Sequence, residues 1–460
     1  MKLVILWSDA LLFLLLALVF AGGWWSRQQA HLRDAWRKVG ADGTAMAAGT
    51  VLAAFLLVGV LDSLHYRMAL PAAAPAVAAA PASSATAYSS EVLSALDAVL
   101  MPLKSRTEKT YSAPLDTHLF AKESIDSNGP GSRDFPRLKH GGAHLGAALD
   151  GHEGDVGLRV VKGLGLGVAL WLPLLLFFRW RKVGSGGTAP MATRAILGTS
   201  LVLLLIAGVV AMLAGGYHVL GTDKVGQDVL YLTLKSIRTG LLIGTLTTLI
   251  MLPAAVLLGI LAGYVGGWID DAIQYLYTVL NSIPGVLLIA AAVLMMQVII
   301  DTHPDWFATS AERADARLLA LCLILGVTSW TGLARLLRGE TLKIREMDYV
   351  QAARAFGVRP LSIMLRHILP NLMHIVLIAL VMDFSGLVLA EAVLSYVGVG
   401  VDPSTISFGT MINTARMELA REPMVWWSLA AAFSFMFALV LAANLFADAV
   451  RDAFDPRSSA

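Results

Sequence analysis

Residues 348–371 read DYVQAARAFGVRPLSIMLRHILPN, a polar, basic stretch set between two long apolar runs. From Met347 to Phe356 the composition favours helix, and Gly357 is placed to close it, because glycine takes the left-handed conformation at a helix end without strain. Pro360 suits the first turn of a second helix running to about Leu369, and Pro370 marks a break before the next apolar run. The stretch therefore predicts a helix, a turn and a second helix lying on a membrane face. Ala352 and Ala353 offer a small surface that another protein's groove can approach, flanked by Arg354, Arg359 and Arg366. A helix pair whose arginines neutralise lipid phosphates fits the same residues.

The runs on either side belong to a chain that is 57% hydrophobic and 15% charged over 460 residues. A membrane-spanning helix needs roughly 20 mostly apolar residues. Candidates lie near 3–25, 44–61, 159–178, 195–213, 241–263, 286–300, 318–334, 373–395 and 425–447. The expected fold is an all-α polytopic membrane protein of about nine spans. The first run ends in Gly22-Gly23-Trp24-Trp25 followed by Arg27, an interfacial anchor without a clear small-residue cleavage site, so it reads as a retained span and not a signal peptide. The net charge of +2 gives no reason to expect nucleic acid, since the basic residues sit at membrane borders. The one cysteine, Cys322, falls inside an apolar run, which excludes disulfides and thiolate metal sites.

Charge orients the spans. Residues 26–43 hold four basic and two acidic residues, 179–194 four basic and no acidic, and 335–372 seven basic and three acidic. Residues 301–317 hold four acidic and two basic. The positive-inside rule puts the first three connections in the cytoplasm and the fourth outside. Nine spans then give an outside N-terminus and an inside C-terminus. The connection near 264–284 sits awkwardly in this scheme, being cytoplasmic yet holding Asp270 and Asp271.

Four regions follow. Residues 1–61 form a two-span hairpin, and 62–158 an extracytoplasmic segment with an Ala/Pro/Ser-rich linker from Leu70 to Ala87. Residues 159–189 hold the third span and a cytoplasmic linker that includes Gly184 to Thr188; 190–457 form a six-span unit with its polar loop at 337–372. Val92, Leu93, Leu96, Val99 and Leu100 recur at helical spacing, with Ser90 available as cap. Fewer than 70 residues beyond the linker, without disulfides, bury little core, so this segment is expected to rest on the membrane unit or on a partner.

The polar loop resembles the coupling loop of binding-protein-dependent ABC importers. Those permeases carry Glu-Ala-Ala, three residues, Gly, nine residues, Ile, one residue, Leu-Pro. Here Gln351-Ala352-Ala353, Gly357 and Leu369-Pro370 stand at that spacing, with Gln351 in place of the Glu and His367 in place of the Ile. Ala352-Ala-Arg-Ala-Phe-Gly357 followed by Arg366-His-Ile-Leu-Pro-Asn371 is similar to the dipeptide/oligopeptide/nickel branch in particular. So are Gly221-Thr222-Asp223-Lys-Val-Gly226-Gln227-Asp228, Glu391 to Pro403, Ser407-Phe-Gly409, and Arg451 to Arg457. The resemblance covers about residues 190–457 and leaves the first 190 outside.

That resemblance implies a permease in the bacterial inner membrane, forming the translocation pathway for peptides or peptide-like solutes. The implied partners are a homologous second permease, two ABC ATPases and an extracytoplasmic substrate-binding protein. Gln351, Ala352, Ala353, Arg354, Gly357, Arg366, Leu369 and Pro370 become the ATPase-coupling set. Gly221, Thr222, Asp223, Gly226 and Asp228 become an outer-face motif near the substrate entrance. The chain has no Gly-x-x-x-x-Gly-Lys-Ser/Thr phosphate loop and nothing resembling an enzyme site, so no cofactor is expected on it; ATP and Mg²⁺ fall to the ATPases. An ATP-independent transporter or channel, or a membrane scaffold or sensor using 62–158, remains an alternative.

Four positions within or beside the spans complete the path or gate candidates. Asp383 and Glu391, eight residues apart in one span, either line the path or its gate, or hydrogen-bond to a neighbouring helix or partner permease. Ser282 and Pro284 either cap the sixth span or shape a cytoplasm-facing bend at the gate. Asp9 reads as solvated near the outer surface. His140, His144, His152, Glu153 and Asp155 read as a solvated loop, because Gly141, Gly142 and Gly146 argue against a helix that would align the first two histidines.

Overall fold

The computed structural model describes residues 2–28, 30–69, 88–89, 91–124, 133–146, 151–183, 191–307, 309–402 and 404–454. Among them, nine helices are long and apolar enough to cross a membrane, one at each expected position. The fold is therefore all-α and polytopic. The Ala/Pro linker, Ser90, the 184–188 linker, Pro403 and residues 455–457 lie outside the described residues, as do the side chains of Trp25 and Arg27.

The first two spans, α1 (Trp7–Gln28) and α3 (Gly43–Asp62), are joined by the amphipathic α2 (Ala30–Ala41). Asp42 caps α3 by accepting the Thr44 N–H at 3.0 Å. Val39 of α2 packs on Val450 of α16 (Trp427–Phe454), so the hairpin is fastened to the far end of the chain. A small sheet ties the other end: β1 (Lys2–Val4) pairs antiparallel with β2 (His65–Arg67), and β2 with β3 (Leu93–Ser94).

Helical spacing over 92–100 predicted one helix, and the chain instead makes β3 and two short helices, α4 (Ala95–Val99) and α5 (Met101–Ser105). The reason is local. Ser94 and Asp97 form a reciprocal capping box that starts a helix after Ser94, and Pro102 opens a fresh turn. Among its described residues, the rest of the insertion as far as residue 151 is irregular apart from the two-residue pair β4 (Glu123–Ser124) and β5 (Arg133–Asp134).

The third span, α6 (His152–Val183), lies against α7 (Met191–Ala214) through glycines: a Cβ on Gly208 would sit 2.4 Å from the Gly163 carbonyl. Close backbone approach of this kind is how helices associate in lipid. The centre of the six-span unit is the pair α8 (Val229–Val265) and α11 (Ser310–Arg345), where a Cβ on Gly259 would lie 2.7 Å from the Ala334 carbonyl. Both helices run well beyond the apolar windows at 241–263 and 318–334, because capped polar turns, Asp228 for α8 and Thr309 for α11, extend them.

The connection after α8 is itself a helix, α9 (Gly267–Ser282), leading to α10 (Gly285–Thr302). Asp270 of α9 makes a bidentate pair with Arg338 of α11, both oxygens at 2.6 Å. The acidic residue that sat awkwardly in the charge pattern is thus neutralised locally. Ser282 does not cap α10: its hydroxyl turns back to the Val279 carbonyl, and Pro284 stands just ahead of the first helical residue with no side-chain cap. Asn281 accepts from Thr331 of α11.

Candidate functional site

The first helix of the 348–371 stretch forms as its sequence predicts. α12 (Asp348–Ala355) ends at Gly357, which takes φ 74°. Gly357 N–H donates to the Arg354 carbonyl and Val358 N–H to that of Ala353, the paired bonds of a Schellman stop. Val350 is 1% exposed and anchors α12 in an apolar cluster with Leu337, Ile363, Ile368 and Leu372. Gln351, Ala352, Arg354, Gly357, Arg366 and Pro370 stay exposed, while Ala353 and Leu369 are half-buried beneath them. Phe356, 88% exposed, is the most prominent apolar side chain of the loop.

Pro370 does not break the chain. α13 (Pro360–Ile363) passes through a π turn at Met364–Ile368 into α14 (Leu369–Val397). The Leu369 N–H reaches back to the Met364 carbonyl, so the ladder has already widened where proline, lacking an N–H, enters it. Asn371 then secures the junction, donating to Tyr349 of α12 at 3.0 Å and to the His367 carbonyl at 2.6 Å. α12 is thereby tied to the start of α14. Between α12 and the ends of α8 and α11 lies a cleft of about 310 Å³ lined by Tyr264, Arg345, Glu346, Gln351 and Arg354. The Gln351 amide donates there to the Glu346 carbonyl at 3.2 Å and to its carboxylate at 3.3 Å.

At the other membrane face, residues 221–228 form a tight turn. Asp223 accepts the N–H groups of Val225 and Gln227, and Asp228 caps α8 by accepting those of Leu230 and Tyr231. The insertion lies over this turn. Thr222 donates to the Thr110 carbonyl at 2.8 Å and accepts the Ser112 N–H at 2.7 Å, and Trp427 donates to the Thr222 carbonyl. His218 stands between Asp228 at 2.8 Å and Glu108 at 3.4 Å. Glu108 also accepts the N–H groups of Lys139, His140 and Gly141. Burial alone would raise Glu108, but His218 and these amides hold it down to about 2. Burial would likewise lower His218, but the two carboxylates push it up to about 9.

Other anchors were invisible in the sequence. Lys235 of α8 bridges Asp62 at 2.7 Å and Asp97 at 3.1 Å, and Tyr231 donates to Asp97. One turn on, Arg238 pairs with Asp9 at 2.6 Å, and Asp9 also meets His65. Asp9 is 0% exposed, so the solvated reading is corrected: the first turn of α1 is locked into the core, with Ser8 donating to Asp315 of α11. The histidine loop is also more ordered than expected. His144 meets Asp155 at 2.7 Å, Asp155 accepts from Arg159 and Tyr217, and His152 lies against Tyr217. Among the described residues no group of three or more His, Cys, Asp or Glu could hold a metal ion.

Of the two candidate carboxylates on α14, Glu391 is enclosed at 1% exposure. It accepts from Ser395 at 2.7 Å and Ser407 at 2.9 Å, fixing α14 to the start of α15 (Phe408–Glu418). It does not reach an open path in this conformation. Asp383 is half-exposed.

Residues 255–460 match the family described as "Binding-protein-dependent transport system inner membrane component". The oligopeptide transport system permease protein OppC of Mycobacterium tuberculosis (strain H37Rv) is 32% identical over 244 residues, covering 53% of this chain and 77% of its own length. The chain belongs to this permease family. The glutathione transport system permease protein GsiD of Pectobacterium atrosepticum is 32% identical over 242 residues, covering 52% of this permease and 73% of its own length. The dipeptide transport system permease protein DppC of Lactococcus lactis is 30% identical over 242 residues, covering 53% and 64%. The permease is thus a multi-pass inner-membrane transport subunit, built on the importer pattern of the dipeptide and oligopeptide branch.

Proposed function

We propose that this permease and a homologous second permease enclose a path for peptides or peptide-like solutes, loaded outside by a substrate-binding protein and driven by two ATPases. ATP and Mg²⁺ belong to those ATPases. The observation that carries the reading is α12: an exposed helix with a sharp glycine stop, tied by Asn371 and Tyr349 to the α13–π turn–α14 segment that follows it. A partner that grips Gln351, Ala352, Arg354 and Gly357 moves α14 with it. Ala353 and Leu369, half-buried under that surface, transmit the load to the apolar cluster around Ile363 and Leu372. Arg366 and Pro370 extend the gripped face along the second helix. Ser282 and Pro284, exposed at the α9–α10 bend, belong to the cytoplasmic gate in this scheme. The peptide class comes from the names of the relatives.

The test is Gly357→Arg. A Cβ at Gly357 meets nothing within 4 Å in this chain, so the folded permease has room for the side chain and pays mainly the left-handed backbone cost of about 1–2 kcal/mol. The variant should insert, while uptake of labelled tripeptide falls and ATP hydrolysis proceeds uncoupled. Normal uptake would sink the docking assignment.

A further inference from the structure

The cleft beside α12 is lined by Tyr264 at the end of α8, by Arg345 and Glu346 at the end of α11, and by Val350, Gln351 and Arg354 of α12 itself. At about 310 Å³ it reaches the size of clefts that hold ligands, roughly 300–1,000 Å³. Bonds within the chain use only part of its polar lining. Glu346 accepts from Arg345 Nε at 3.1 Å and from the Gln351 amide at 3.3 Å, and Arg345 also donates to the Gly263 carbonyl at 3.3 Å. Among the described residues, the Arg354 guanidinium and the Tyr264 hydroxyl have no hydrogen bond or ion pair.

The charge balance narrows what can enter. The charged residues of the lining are two arginines and one carboxylate, so one positive charge is left over, and Arg354 is the cation without a partner. Gln351 is neutral and faces Glu346; a glutamate at that position, as in the importer pattern, would cancel the surplus. A guanidinium presents a planar fork of donors that one carboxylate fills with two parallel bonds. A single carboxylate therefore matches the free charge, whereas a phosphate dianion would bring a second negative charge up to Glu346. A lipid phosphodiester also carries one charge. However, Gln351 and Arg354, three residues apart and so neighbours on the helix surface, border Ala352 and Gly357, the part of α12 offered to the ATPase.

We propose that the ATPase inserts an aspartate or glutamate side chain into this cleft, where Arg354 clasps the carboxylate and the Tyr264 hydroxyl stands as a further donor. This rests on the coupling reading given above and adds the chemistry of the contact: the permease supplies the cation and the ATPase the anion.

Two measurements on the assembled transporter separate the outcomes. Arg354→Lys keeps the charge and supplies an amine that a water-soluble carbodiimide joins to a carboxylate in contact with it; the amide forms as the reagent takes up the water and leaves as a urea. Treatment of this variant complex should link position 354 to an aspartate or glutamate of the ATPase, located by fragment masses, while the wild-type guanidinium should give no bond there. A bond only to Glu346, or none, in a preparation that contains the ATPases overturns the proposal and leaves the docking reading standing. The second measurement is ATPase affinity for the permease pair in phosphatidylcholine nanodiscs. Arg354→Gln and, independently, Gln351→Glu should each weaken it about tenfold, the scale of one charge-assisted hydrogen bond. Unchanged affinity there, with a loss only when phosphatidylglycerol is present, assigns the cleft to lipid headgroups and overturns the proposal. Absence of ATPases from the wild-type preparation overturns the coupling reading and the proposal with it.

Discussion

Replacing His218 by alanine should free the insertion from the outer face of the six-span unit. The protonated ring donates to Asp228 over 2.8 Å and Glu108 over 3.4 Å, with 3% of its side chain exposed. The ring's pKa of about 9, against an unfolded value of 6.5, corresponds to roughly 3 kcal/mol of attachment. Removing the cation between two buried carboxylates costs a similar amount, about 3–5 kcal/mol. Hydrogen exchange at the amides of Lys139, His140 and Gly141, which donate to Glu108, should therefore accelerate by about a hundredfold or more. Acidity provides an internal control. Because the folded pKa of His218 is raised, its contribution is complete below pH 6.5 and fades as pH climbs through about 9. Glu108 works in the opposite sense: held at about 2, it contributes above pH 4.5 and is lost as pH falls through 2. After correction for intrinsic exchange, wild-type protection should approach that of the variant near pH 9. Unchanged protection in His218→Ala at neutral pH, or wild-type protection that stays flat from pH 6.5 to 9, would refute the reasoning.

Arg238→Met should leave Asp9 buried beside His65 alone and cost about 3–5 kcal/mol, read as a lower midpoint in thermal unfolding of the detergent-solubilised chain; an unchanged midpoint would mean the α1 anchor is energetically idle. Gly259→Ala places a methyl 2.7 Å from the Ala334 carbonyl and 2.9 Å from Leu337 Cβ, so α8 and α11 must separate. The expected loss is about 1–3 kcal/mol in the same assay, whereas Gly386→Ala, with nothing within 4 Å, should be nearly silent.

The spans were legible because hydropathy and length decide them one helix at a time. α12 was legible for the same reason: a good helix former, a glycine stop and a proline start are signals contained within a few residues. What failed to show was long-range. Lys235 and Arg238 lie just outside the apolar window of α8 and look like loop residues, until residues 9, 62 and 97 bring carboxylates to them. Asp9 looked solvated because sequence position near an outer end says nothing about a neighbouring helix that covers it. Pro370 looked like a break because a local rule does not foresee a π turn that has already shifted the hydrogen bonds. Glu391 and Asp383 looked alike on a helical wheel, yet Ser407, sixteen residues on, returns to satisfy only the first.

The outer face carries a similar lesson. Residues 221–228 resemble an outer-face family motif, and here Thr222 is 0% exposed beneath Thr110 and Ser112 of the insertion. The insertion is tied to the connection before α8 through Glu108–His218 and Thr110–Thr222, to α8 itself through Asp97–Tyr231, and to Trp427 at the start of α16 through the rings of Tyr111 and Phe120.

The most direct test of the central claim is affinity purification of the intact chain in mild detergent, with identification of the subunits that accompany it. The account predicts a second permease and a pair of ATPases in stoichiometric yield. Recovery of the chain alone or as a homo-oligomer, with no ATPase under any solubilising condition, would contradict it.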